Sequence, residues 1–349
     1  MKVLLITDAW FPQVNGVVTT YSNIISELSK RNIEVEVLHP GKFYSLPLFF
    51  YNEIKAAINP WKVILKIKES DADCIHIGTE GPLGIVSRIY LSYKKIPFTS
   101  AVHTKFPEYL NLHIKVPLSI TYALMRWFHK RSHSVLVNTK SHKKELEKRG
   151  FRNLKIWSRG IDLKKFKDTS IKINDKDYLL YVGRVSKEKN IEAFLSIETT
   201  HEKVVVGDGP YRQKLQKKFP RVKFVGCKTG PELAAWYRNA SVFVFPSMTD
   251  TFGIVVIEAL SCGVPVAAYP VTGPLDIIED GITGSLDNDL KMAIDKALEI
   301  KRDNCTRSTK KYTWRNVTEQ FLSTLILIKK ANHAKDNLQF FSKRASKKI

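Results

Sequence analysis

Short apolar runs alternate with helical repeats along this chain, in two successive series. No other feature constrains the fold as much, because adjacent parallel strands need a crossover of a dozen or more residues, usually a helix. "KVLLITD" reads as a buried strand and "AWFPQVNG" as a loop, after which Val17, Tyr21, Ile24, Ile25 and Leu28 recur at helical spacing. "IEVEVLHP" then alternates as a strand. "DCIHIGT", "PFTSAVHT" and "SVLVNT" continue the strands, with "PLGIVSRIYLSYKK", "PLSITYALMRWFHK" and "SHKKELEKRG" as helices. The second series starts near Asp177, with "YLLYVGR", "EKVVVGDG", "RVKFVGC", "ASVFVFP" and "VPVAAY" as strands. Its helices are "KNIEAFLSIETT", "YRQKLQKKF", "PELAAWYRN" and "GIVVIEALSCG". The pattern predicts an α/β protein of two doubly wound, Rossmann-like domains with helices on both faces of each sheet.

A length of 349 residues fits two such domains, expected over residues 1–165 and 166–312. The polar, Lys-rich stretch from about Ser158 to Lys176 is expected to link them. "TWRNVTEQFLSTLILIKKA" predicts a terminal helix over 313–332 packing back on the first domain, followed by a basic tail over 333–349. The N-terminus meets Asp8 too early for a secretory signal. The longest apolar window, Gly253 to Val271, contains Glu258, Pro265 and Pro270 and does not read as membrane-spanning. Cys74, Cys227, Cys262 and Cys305 lack metal-site or redox spacing and predict reduced thiols in a cytosol.

The formal charge of +22 favours anionic partners: a phospholipid surface, nucleic acid or nucleotide phosphates. Basic residues outnumber acidic ones 26 to 13 in residues 1–165 and 30 to 21 beyond. The same balance also suits a merely solvated basic face.

Ligands of doubly wound sheets bind beyond the carboxyl ends of the strands, so loops after strands are where chemistry belongs. In "PSMTDTFGIVVIEALSCGVPV" a strand runs into a helix that ends near Gly263. Asp250 and Thr251 stand before its first turn, a ready anion site, where either could also be a plain N-cap. Glu258 lies two turns in, either facing a ligand or facing solvent. In "YVGRVSKEKN" Arg184 and Lys189 follow a strand, a fork and a point charge suited to a diphosphate. "VVVGDGP" reads as a tight turn. Gly16 lies on the first strand-to-helix loop, where the absent Cβ lets backbone approach a ligand, or where it helps cap a helix with Asn15. His103 ends an apolar strand, where its side chain points into the cleft, able to hydrogen-bond or move a proton; His76, inside its strand, reads as a core histidine. "DAD" at Asp71–Asp73 has the spacing of a metal-dependent sugar transferase, but precedes its strand and implies no metal.

Taken in order, "PQVNGV", "GRVSKEKN", "VGDGP" and "PSMTDTFGIVVIEALSCGVPV" resemble the retaining glycosyltransferases of the GT-B fold, family 4, over roughly residues 1–330. "YPVTGPLDII", "HTKFPEY" and "FYSLPLFFYNEIK" are similar to the branch holding bacterial GDP-mannose-dependent α-mannosyltransferases and sulfolipid synthases. The family's E-x7-E motif stands here as D-x7-E, Asp250 to Glu258. The resemblance implies two domains facing across a cleft, the first binding acceptor and the second the nucleotide-sugar. It places Glu258 on the ribose, Asp250 on the transferred sugar, and the Thr251, Phe252 and Gly253 backbone near phosphate or sugar. Arg184 and Lys189 would neutralise the diphosphate, Gly16 would approach it from the first domain, and His103 would contact the sugar at the reacting carbon. Front-face attack, without a protein nucleophile, metal or cofactor, is the implied mechanism.

Aromatic residues mixed with Lys and Arg in "FYSLPLFFYNEIK" and "LMRWFHKR" add an expected lipid or lipid-linked acceptor, met peripherally on the anionic inner face of the cell membrane. The donor preferred by branch is GDP-mannose. A UDP-hexose transferase on a soluble glycan or metabolite is the alternative. A nucleic-acid-binding protein finds no motif support, and a transferase that binds donor without turnover is disfavoured by Arg184, Lys189 and Glu258.

Overall fold

The computed structural model describes residues 1–13, 15–48, 51–167, 171, 173 and 177–328; the basic tail expected over 333–349 lies outside the described residues. In the first half, β1 (Lys2–Ile6) leads through α1 (Gly16–Ser29) to β2 (Glu34–Leu38). An antiparallel hairpin, β3 (Ser45–Leu48) and β4 (Tyr51–Ala57), precedes α2 (Val63–Glu69) and β5 (Cys74–Ile77). Then come α3 (Pro82–Tyr93), β6 (Thr99–Val102), α4 (Phe106–Ile114), α5 (Leu118–His129), β7 (Val135–Val137), α6 (Lys140–Lys148) and β8 (Leu154–Ile156). The six long-range strands form one parallel sheet in the order β2-β1-β5-β6-β7-β8. The hairpin falls in the segment singled out above for its aromatic and basic residues.

The second half begins with α7 (Leu163–Lys167) and β9 (Tyr178–Val182), α8 (Ile191–Leu195), β10 (Glu202–Val206), α9 (Arg212–Lys218), β11 (Lys223–Gly226) and α10 (Gly230–Arg238). It continues with β12 (Val242–Phe245), α11 (Ile254–Ser261), β13 (Val266–Ala268), α12 (Pro274–Ile277), β14 (Gly284–Leu286), α13 (Leu290–Leu298) and α14 (Arg302–Ser308). Its parallel sheet runs β11-β10-β9-β12-β13-β14. The strand order therefore reverses between β1 and β5 in one half and between β9 and β12 in the other. Those are the switch points where the loops after the strands splay apart and leave room for a ligand.

The central strands are apolar because both faces of the sheet are covered there: β9 and β12 are buried at every residue, while the edge strand β2 keeps Glu34 and Glu36. One face of the second sheet carries Tyr178, Leu180, Phe243 and the α11 residues Val256, Ile257 and Leu260; the other carries Leu179, Tyr181, Val244, Phe194 and Ile294. Helix α8 stops at Leu195, short of the stretch expected, since "SIETT" beyond it is rich in residues that favour turns or lose rotamers in a helix.

The chain crosses between the halves at two adjacent points. The Ile161 N–H donates to the Tyr312 carbonyl at 2.7 Å, and Ile161 bridges Thr313. Ile161 and Phe166 already belong to the second core, so residue 165 lies inside α7 and its packing. After the second crossing, α15 (Trp314–Thr324) lies against α1. Trp157, fully buried, donates its indole N–H to the Val317 carbonyl at 3.2 Å and packs on Phe321. The helix ends at Thr324 rather than running on through "LILI": Leu325 and Leu327 turn into the first core, and the Ile328 N–H reaches the Asp73 carbonyl at 2.7 Å; residues 329–332 of the expected helix lie outside the described residues. Among the described residues no helix is long and apolar enough to cross a membrane.

Candidate active site

Because β9 and β12 are neighbours, the loops that follow them meet. Gly183 and Arg184 leave β9, and Lys187–Lys189 form one 3-10 turn. Asn190, at φ +52°, donates from Nδ2 to the Pro246 carbonyl at 3.1 Å, tying that turn to the loop after β12. Lys189 Nζ reaches both oxygens of Asp250, at 2.7 and 2.9 Å. Arg184 is exposed, and its carbonyl accepts from the Tyr181 hydroxyl at 2.9 Å. "VGDGP" supports the same turn from below: a Cβ on Gly207, at φ +138°, would stand 1.9 Å from the Gly183 carbonyl oxygen.

The loop after β12 delivers the helix start. Gly253, at φ +89°, is the N-cap of α11 and no side chain caps the first turn. The alternative reading of Asp250 or Thr251 as a plain N-cap is therefore wrong: positive φ at Gly253 turns the chain away, sending Asp250 to Lys189 and Thr251 into the first half. The Val256 N–H turns back to the Gly253 carbonyl at 3.0 Å, while the Ile254 and Val255 N–H groups lie at the positive end of the helix dipole. Phe252 is buried, edge-on to Tyr312. Glu258 is half-buried, not on a solvent face, and accepts from the Tyr237 hydroxyl at 2.8 Å on Oε2. Burial pushes its carboxyl above the usual glutamate range, and the Tyr237 hydrogen bond pulls it partly back.

Across the cleft, α1 begins at Gly16, and the Asn15 side chain accepts from the Val17 and Val18 N–H groups. Asn15 is thus the cap, and Gly16 faces α11: a Cβ there would lie 3.6 Å from Ile254 Cδ1, ordinary contact. The positive ends of α1 and α11 converge on one crevice.

His103 corrects the expectation of a ring free in the cleft to transfer a proton. Its residue is 7% exposed, with Nε2 at 2.9 Å from the Tyr21 hydroxyl and Nδ1 at 2.6 Å from Arg159 Nη2. The end of β6 carries the ring inward onto α1. Burial, with Arg159 next, holds its pKa well below the usual value. His103 instead offers its carbonyl to the junction, accepting from Thr251 Oγ1 at 2.6 Å and Asn138 Nδ2 at 3.1 Å. His76 is fully buried as expected, yet its Nε2 meets the same Tyr21 hydroxyl at 2.8 Å, so it shares a network with His103. Tyr21, Asn138 and Arg159 are residues the sequence reading passed over. Tyr21 looked like one more apolar position on α1, and Arg159 like one more linker cation.

The halves are clasped beside this site. Thr251 also accepts from Asn138 Nδ2 at 2.7 Å. Asp276 of α12 accepts from the Ser141 N–H at 3.1 and 3.2 Å and from its hydroxyl, capping α6 from the opposite half. The Asp71–Asp73 pair lies elsewhere, at the N-terminal edges of β1 and β5, where Asp71 meets Lys2 Nζ and Asp73 accepts from the Lys2 N–H.

The arrangement brings together the starts of α1 and α11 and the Lys189–Asp250 pair, with Arg184 on the loop after β9 and a half-buried carboxylate about one turn into α11. It fits a dianionic group with a hydroxylated ring beyond it.

Known proteins carry the same pattern. Residues 14–165 match the family described as Glycosyltransferase Family 4, and residues 176–303 match Glycosyl transferases group 1. The sulfoquinovosyl transferase SQD2 of Arabidopsis thaliana is 28% identical, over 90% of this chain and 71% of its own. A GDP-mannose-dependent alpha-mannosyltransferase of Corynebacterium glutamicum is 24% identical, over 92% and 88%. An alpha-monoglucosyldiacylglycerol synthase of Streptococcus pneumoniae is 28% identical, over 85% and 78%. Anabaena Alr3699/HepE, solved with UDP-glucose, superposes with a TM-score of 0.68 at 18% identity, covering 93% of this chain and 99% of its own. Sucrose-phosphate synthase of Thermosynechococcus elongatus gives 0.72 at 19%, covering 92% and 97%. The fold is GT-B, and the chain is a glycosyltransferase belonging to the family 4, group 1 glycosyltransferases.

Proposed function

We propose that this enzyme transfers a hexosyl group, with retention, from a nucleotide-sugar to a lipid or lipid-linked acceptor, with mannose from GDP-mannose as the preferred donor. The observation that carries the reading is the approach of the α1 and α11 N-termini at Gly16 and Ile254, with Lys189 held on the adjoining loop that also carries Arg184. Charge building on a departing diphosphate is stabilised there by groups already in place. Glu258 binds the ribose hydroxyls through the oxygen that Tyr237 leaves available, Asp250 binds the sugar, and the Thr251–Gly253 backbone lies along the phosphates. Gly16 leaves the diphosphate room. His103 meets the site through its backbone carbonyl, with its neutral ring packed directly behind the sugar position and not acting as a proton carrier. The leaving phosphate then takes the proton of the acceptor hydroxyl, and neither metal nor cofactor enters the reaction.

The acceptor side is supported by the surface of the first half. On α5, Ile120, Leu124 and Trp127 are exposed at i, i+4 and i+7, flanked by exposed Lys115, Lys130 and Arg131. An apolar stripe bordered by cations suits an anionic leaflet and supports a peripheral position on the inner face of the cell membrane. Relatives named as glycolipid synthases and mannosyltransferases agree with this acceptor class.

Turnover of GDP- and UDP-sugars on lipid extracts, scored by product analysis, tests the reading. GDP-mannose should give an α-linked mannolipid, and co-sedimentation with anionic vesicles should fall as salt rises. Turnover with a UDP-hexose alone would replace the donor. Transfer only to water-soluble acceptors, with no vesicle binding at low salt, would overturn the lipid reading.

A further inference from the structure

A hydrogen-bonded chain of side chains lies behind the junction of the two halves. From one end it runs Arg159, His103, Tyr21, His76, Thr99. A guanidinium donates and cannot accept, so Arg159 Nη2 must give its hydrogen to His103 Nδ1 at 2.6 Å. The neutral ring then carries its proton on Nε2, facing the Tyr21 oxygen at 2.9 Å. Tyr21 must pass its own hydroxyl hydrogen onward, to His76 Nε2 at 2.8 Å. His76 is left protonated on Nδ1, at 2.8 Å from Thr99 Oγ1. Every proton in the chain is ordered from the one end that cannot reverse.

The charged and titratable groups around the His103 ring are Arg159 after β8, His76 on β5, Tyr21 on α1 and His129 on α5, whose own ring meets Glu80 at 3.2 Å. Each of the cations or potential cations opposes a charge on His103, and only the Gly78 backbone favours one. No carboxylate hydrogen-bonds to the ring among the described residues. Arg159 itself is 4% exposed, rests over the Trp157 ring, and has no partner for Nη1 among the described residues. A buried cation that hydrogen-bonds to no acid among the described residues is costly.

We propose that Arg159 is a positioning residue of the transfer reaction: through this chain it fixes His103 as the neutral, Nε2-protonated tautomer and sets the His103 carbonyl against Thr251 at the junction. A neutral ring behind the junction keeps the Arg159 guanidinium as the one positive charge of the chain, whereas an imidazolium would add a second and oppose a sugar that develops oxocarbenium character. The catalytic half of this proposal rests on the placement of His103 at the transferred sugar; the tautomer does not.

Nitrogen-15 NMR of the histidines in the ligand-free protein reads the tautomer directly. From pH 5 to 8, His103 should stay neutral with its proton on Nε2, and His76 neutral with its proton on Nδ1. In Arg159→Met, His103 should change tautomer or titrate within that range. Its kcat should fall tenfold or more with donor KM within threefold, and the acid limb of the kcat profile should move to higher pH. Arg159→Lys should restore part of kcat. In Tyr21→Phe, His103 should keep its tautomer while His76 becomes free to change. A protonated or Nδ1–H His103 in the wild-type protein overturns the proposal even if no variant folds. So does an Arg159→Met enzyme that folds with unchanged kcat and pH profile. His103→Ala with unchanged turnover would instead refute the placement of His103 at the sugar, and with it the catalytic half, whatever the spectra show.

Discussion

Glu258 is a carboxylate in one of the most apolar stretches of the chain, and its surroundings make its charge conditional. Burial raises its pKa and Tyr237 lowers it, so the anion that should accept ribose hydroxyls is lost at higher pH than for an exposed glutamate. Nucleotide affinity, followed by calorimetry from pH 8 to 5, should fall as Glu258 protonates. Tyr237→Phe removes the hydrogen bond that stabilises the anion and should move that fall toward neutrality. Glu258→Gln should weaken binding and flatten the profile. Lys189→Met should lower kcat/KM by roughly 10²–10³-fold, the scale for losing one fixed transition-state contact, and leaves Asp250 without its partner. His76 carries a separate signature. Burial lowers its pKa from the usual 6.5 to about 3, so the folded protein binds fewer protons than the unfolded chain between those values. Its contribution is complete above pH 6.5 and is lost as pH falls through that window, about 2 kcal/mol between pH 7 and 5. Asp8, raised to about 6, opposes this loss by binding a proton in the fold first. Urea titrations of Asp8→Asn against the parent should therefore show the steeper acid loss in the variant.

Glycine positions govern how the turns after β9 and β10 nest. Gly207→Ala would drive a methyl into the Gly183 carbonyl at positive φ, and should cost about 2–4 kcal/mol in urea or thermal unfolding. Gly281→Ala, also at positive φ but with open space around it, should cost about 1 kcal/mol or less. "VGDGP" read as a tight turn was correct, but the reason it must be tight lies in the neighbouring loop. Strands and long helices were legible because burial on both sheet faces writes an unbroken apolar run, and one buried helix face writes a 3.6-residue repeat. The ends of α8 and α15 were not, because tertiary packing decides whether Leu325 continues a helix or turns into a core.

The two halves are joined by more than the chain. Asp276 caps α6 from the opposite half, Thr251 reaches the His103 carbonyl, and Asn138 bonds both. Asp276→Ala should loosen this closure, visible as a larger radius of gyration by X-ray scattering and a donor KM roughly fivefold higher, equivalent to one hydrogen bond of about 1 kcal/mol. Truncation after Tyr312 would strip α15 from Trp157 and Phe321's neighbours in the first half. Limited proteolysis should then attack residues 1–160 before the second half. The alternation of the main strands and helices and the two-sheet architecture were readable in the linear chain, and Arg184, Lys189, Asp250 and Glu258 stood out as site candidates through the resemblance their motifs carry, whereas the β3–β4 hairpin, β8 and β14 were not read. Which side of α11 Asp250 and Thr251 take, the capping of α6 in trans, and the chain from Arg159 through His103 to Thr99 were decided only when residues up to 148 positions apart met. Hydrogen-bond direction and burial are properties of a meeting, and a histidine or arginine read alone carries neither.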